Sequence, residues 1–118
     1  MGTIRDRAEA LSEALSTVDG ARVYTDPAAT IDPPGIVLGP PALFWESGCL
    51  QPTSARFLVY VVETNDDRAI ERLWDLVPQV SAVVDLLPSA AVITANPGTY
   101  TSGGTELPAY LIQVEVNL

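Results

Sequence analysis

Apolar residues recur at helical spacing in two stretches of the chain. Ile4, Ala8, Leu11, Leu15 and Val18 form one stripe, with Arg5, Glu9, Ser12, Glu13 and Ser16 on the other side. The pattern predicts an amphipathic helix from about Ile4 to Thr17, capped by Thr3 and stopped by Asp19 and Gly20. The second stripe is Ile70, Leu73, Trp74, Val77, Val84 and Leu87. It predicts a longer helix from Arg68 to Leu87, capped by Asn65 or Asp66, kinked by Pro78 near Trp74 and closed by Pro88. Trp74 is expected in the core here, where Trp74→Ala would cost about 3–5 kcal/mol.

Between and after these stripes the period changes to two. Strands are expected at Ala21 to Thr25, Gly35 to Leu38, Ala42 to Glu46, Ser54 to Glu63, Ala90 to Ala95 and Glu106 to Leu118. Asp26–Pro27 should end the first. Gly39, Pro40 and Pro41 should put an edge or a sharp bend between the second and third, because proline cannot donate to a ladder. In Ser54 to Glu63 both alternating sets are apolar, which marks a central strand. In the last strand Tyr110, Ile112, Val114 and Val116 alternate with Leu111, Gln113, Glu115 and Asn117, so one face is buried and the other is wet or at an interface. Asn96 to Thr105, with its three glycines, reads as a flexible connection. The expected fold is a single α+β domain over 1–118: a mostly antiparallel four- to five-stranded sheet with two helices packed on one face. Its core is expected to hold Leu11, Leu15, Val59, Val61, Ile70, Leu73, Trp74, Val77, Ile112 and Val114.

Charge narrows the function classes. Fifteen acids face six cations, a net charge of −9. All the cations are arginine (Arg5, Arg7, Arg22, Arg56, Arg68 and Arg72), and histidine and lysine are absent. Gripping nucleic-acid phosphates needs clustered cations, so this chain is not built for it. No apolar run approaches the roughly 20 residues of a membrane span. The N-terminus is charged and has no apolar stretch of a secretory leader, and Met1–Gly2 with Asp6 misses the myristoylation pattern. Cys49 is the one cysteine, so no internal disulfide can form, and a reducing site of synthesis is expected.

Candidate chemistry is sparse. Cys49 and the serines have neither histidine nor lysine to serve as base. Zinc lacks ligands. The pairs Asp66–Asp67 and Glu46 with Glu63 could act as acid and base or hold a hard cation, but Asp66–Asp67 reads first as a helix cap. Trp74 reads as core; Trp45, beside a loop, is either core or an interface anchor. An interaction protein is expected rather than an enzyme, with no cofactor, no metal site and no membrane.

Four stretches carry a resemblance: Arg22 to Pro27 (RVYTDP), Pro33 to Pro41 (PPGIVLGPP) with Leu43 to Glu46, Asp67 to Pro78 (DRAIERLWDLVP), and Gly103 to Val116. In this order they resemble the tail terminator proteins of long-tailed phages, the lambda-type family, particularly those of phages infecting actinobacteria. The resemblance implies a six-fold ring at the head–tail junction of the virion, made in the host cytoplasm. Such a ring caps the tail tube, stops its polymerisation and docks the head connector, with DNA passing through the lumen unbound. Its partners would be other copies of the chain, the tail tube protein and the connector. Six copies would carry about −54, six times −9, which suits a lumen that DNA slides past. A ring needs two different patches per subunit. The candidates are the broken edge strand with Leu43 and Trp45, the loop with Cys49, Leu50 and Gln51, and the glycine-rich connection with Tyr100, Gly103 and Gly104. A head-closure, connector or other tail-completion protein shares this profile, and a small acidic enzyme using an acid pair is the remaining alternative.

Overall fold

The protein was analysed as a computed structural model, which describes residues 3–26 and 28–118. Met1, Gly2 and the expected break at Pro27 lie outside the described residues. The elements are α1 (Thr3–Leu15), β1 (Arg22–Tyr24), β2 (Gly35–Leu38), β3 (Ala42–Phe44), β4 (Ser54–Val62), α2 (Ala69–Asp85), β5 (Ala90–Ser102) and β6 (Thr105–Asn117).

β4 is central because its two apolar sets both find cover. It pairs antiparallel with β6 along its full length, from Ser54 opposite Asn117 to Val62 opposite Ala109. Its other edge is shared by β2, opposite Val59 to Val62, and β3, opposite Ser54 to Arg56. Gly39, Pro40 and Pro41 split what would be one strand into these two, and the Gly39 N–H still reaches the Leu58 carbonyl at 2.9 Å. The expected bend is therefore real. The sheet has six strands, one or two more than expected, in the order β1-β2-β4-β6-β5 with β3 beside β4. It is mixed, since the short β1 lies parallel to β2.

Ala55, Phe57, Val59 and Val61 of β4 share one buried cluster with Ile36, Ile112, Val114 and Val116 of the sheet. Leu11 and Leu15 of α1 and Leu73, Leu76, Val80 and Val84 of α2 close over it, so both helices cover this face. A second, smaller cluster sits on the opposite face. There Ile31, Val37, Val62, Leu107 and Ala109 pack with Tyr24, Tyr60 and Tyr100.

Two expectations need correction. The buried line of α2 is Ala69, Leu73, Leu76, Val80 and Val84. Ile70 and Trp74 lie roughly 80–130° around the helix from it, at about 100° per residue, and Val77 is half-buried at its margin. Apolar residues fill both lines, so periodicity alone could not choose between them. The helix begins at Ala69, with Arg68 at the N-cap and no side-chain cap bond, and it runs through Pro78.

The second correction concerns Asn96 to Thr105, which is ordered strand. β5 and β6 form a hairpin of two 13-residue strands closed by Gly103 and Gly104, at φ +58° and +81°. Positive φ at both central positions is the type I′ geometry that glycine allows. Pro97 is tolerated within β5 because β5 is an edge strand, where a missing N–H facing outward costs no ladder bond. The loop before β2 ties the hairpin tip down: the Ile31 N–H donates to Ser102 Oγ at 2.8 Å in a buried contact.

Candidate assembly surfaces

The exposed face of α2 carries the first surface. Trp74 is 60% exposed and Ile70 45%. Trp74 Nε1 donates to the Tyr110 hydroxyl at 3.0 Å, which pins the indole beside the hairpin. Tyr110 stands opposite Pro97 in the register of β5 and β6. The result is an apolar step between helix and hairpin. Glu71 and Asp75, exposed on the same helix, join none of the ion pairs among the described residues. Sequence reasoning missed this surface by assigning both residues to the core.

The second surface follows β3. Phe44 is 43% exposed, Trp45 54% and Leu50 93%. The loop is shaped by its own backbone: Cys49 N–H donates to the Glu46 carbonyl, Thr53 N–H to the Phe44 carbonyl, and Trp45 Nε1 to the Leu50 carbonyl at 3.4 Å. Cys49, Leu50 and Gln51 are exposed here. Leu43 is not free; it packs partly against the main core.

The remaining candidates lie elsewhere. Tyr100 packs tilted against Tyr60 with ring centroids 5.1 Å apart, and Gly103 and Gly104 form the hairpin turn. Because Ser54 pairs with Asn117 and Val62 with Ala109, the Leu50 loop and the hairpin tip sit at opposite ends of β4. The candidates therefore make two separate surfaces.

One acid of each pair, Asp66 and Glu63, is used structurally. Asp66 accepts from the Arg68 N–H at 2.9 Å and from Arg72 Nη2 at 2.7 Å. The hydrogen bond from Arg72, with the backbone bond from Arg68, holds its carboxyl below the ordinary carboxylate range and raises Arg72 in turn. Arg72 Nε also meets the buried Glu63 at 3.3 Å, and Glu63 accepts the Thr64 N–H. Neither Asn65 nor Asp66 is the cap expected of α2: the N-cap is Arg68, and Asp66 lies two residues ahead of it, where it holds the Arg68 N–H in the turn before the helix. Glu46 and Glu63 lie beyond opposite ends of β4, about 30 Å of strand apart, and cannot act together. Among the described residues no group of three or more His, Cys, Asp or Glu could hold a metal ion, and no helix is long and apolar enough to cross a membrane.

No family model matches the chain, and no curated protein matches it.

Proposed function

We propose that this protein is a ring-forming tail terminator of a long-tailed phage, which caps the tail tube, stops its growth and joins it to the head connector. One observation carries the reading beyond the sequence resemblance. A 118-residue chain with net charge −9 exposes large apolar side chains on both of its layers, Ile70 and Trp74 on the helical one and Phe44 on the sheet. Surfaces of that kind mark contacts with other proteins, and two different ones per subunit are what a ring requires. The net charge supports a lumen that repels passing DNA.

Purified protein added to polymerising tail tube protein should shorten the tubes and appear as a cap at one end by electron microscopy. Labelling of virions should place it at the head–tail junction. Tubes of unchanged length and a label inside the capsid or at the tail tip would sink the reading. A label on the head side of the junction would make it a head-closure component instead.

A further inference from the structure

We infer that the open half of the sheet's second face is a subunit contact, and that its occupant is the α2 edge of the next copy. This rests on the ring reading and adds to it the two surfaces that meet. The second face is only half covered. Towards the hairpin tip, Ile31 and three tyrosines close it. Phe44 and Leu58, towards the Leu50 loop, and Leu111, level with Tyr60 at the border of that cluster, lie on the alternating set that faces away from the helices, and the two leucines belong to neither buried cluster.

Charge selects the occupant. The charged residues that the strand register places on the open half are Arg56 and Glu115, and they are joined through Nε at 3.3 Å, so their charges offset each other in a strongly acidic molecule. The helices set the acids Asp6, Glu9, Glu13, Glu71, Asp75 and Asp85 against Arg5, Arg7 and Arg72, and Arg72 is already paired with Glu63 and Asp66, so the helical layer stays acidic. Two acidic copies approach with least repulsion where one of them is neutral. Arg56 uses one nitrogen on Glu115 and lies 5.2 Å over the Phe44 ring, so its other donors can meet an incoming acid. The α2 edge supplies Glu71 and Asp75 beside the pinned Trp74. An aromatic anchor set on an apolar floor, with acids aimed at an arginine, is complementary in shape class and in sign.

Geometry and size agree. The step and the open half lie on opposite layers, so neither can cover the other within one chain, and joining them between chains is head-to-tail. Such a contact closes into a ring when its rotation allows. The molecule measures 50 × 28 × 21 Å, and half of its broad face is close to the ~800 Å² per partner of a standard interface.

Cysteine mapping tests the contact, with Cys49→Ser removing the one native thiol. Gln113 lies opposite Leu58 on the open half, and Ile70 lies one turn from Trp74. With Gln113→Cys and Ile70→Cys together, oxidation should give a ladder of covalent multimers ending in a closed ring. Either substitution alone should give none. Trp74→Ser should keep the melting temperature and weaken association at least about tenfold, the loss expected of a central anchor. Dimers from Gln113→Cys alone would overturn the head-to-tail contact in favour of a face-to-face one. A ring seen by light scattering that never crosslinks would overturn the contact and leave the ring. A ladder that grows into open filaments would keep the contact and remove the terminator reading. A chain that stays monomeric and uncrosslinked, alone and with tubes, would overturn both.

Discussion

Adjacent residues of α2 do opposite work. Leu73 is fully buried, and Trp74 next to it stands in solvent. Leu73→Ala should therefore cost about 2–5 kcal/mol, by lost burial and the cavity left behind. Trp74→Ala should cost under about 1 kcal/mol, the range of surface substitutions. Urea denaturation of the two variants checks this, and a larger loss for Trp74 would put the helix in the wrong rotation. Asp66 offers a second test. Its carboxyl is lowered from 3.8 in the folded chain, so its charge stabilises the fold when ionised. A depressed carboxylate contributes in full above its unfolded value and loses the contribution as pH falls through its folded value. Asp66→Asn keeps an oxygen for the Arg68 N–H and removes the charge. It should melt below the parent protein at neutral pH, and the gap should close as pH drops below 3.8.

The element that departs most from expectation is the β5–β6 hairpin. Asn96, Pro97 and Gly98 carry strong turn signals, yet they pair in turn with Leu111, Tyr110 and Ala109. Local propensity lost to the ladder because β6 is a long, well-alternating template and β5 needs just one hydrogen-bonding edge. Ser102 then joins the tip to the loop before β2, at a sequence distance of 71 residues from Ile31. Ser102→Ala leaves the buried Ile31 N–H without a partner, which should cost about 1–3 kcal/mol. Faster amide exchange at Ile31 and along the distal hairpin is the expected signature, with protection of β4 retained. Uniform loss of protection would show that the tie is not local.

For the whole molecule the governing quantity is the charge of −9. Copies that associate must overcome mutual repulsion, and that repulsion is screened over about 30 Å at 0.01 M salt but about 8 Å at 0.15 M. Self-association should therefore strengthen as salt is raised through this range, against the usual weakening of contacts held by ion pairs. Analytical ultracentrifugation across the series measures it. A fall in association with salt would mean that the Arg56 contact outweighs the net repulsion.

Read alone, the amino-acid order determined the two helices, the central strand, the Gly-Pro-Pro break and the acidic balance, because each rests on local period, turn chemistry or composition. It also marked Trp45, Leu50 and their loop as contact candidates. Only the tertiary structure decided which line of α2 is buried, since two apolar lines run along the same helix and the sheet covers one. Only it made β5 a long edge strand, because that pairing is bought by the β6 ladder and not by local preference. The assembly surfaces depended on both decisions. Rotation of α2 left Ile70 and Trp74 outside, and the small second cluster left half a sheet face uncovered.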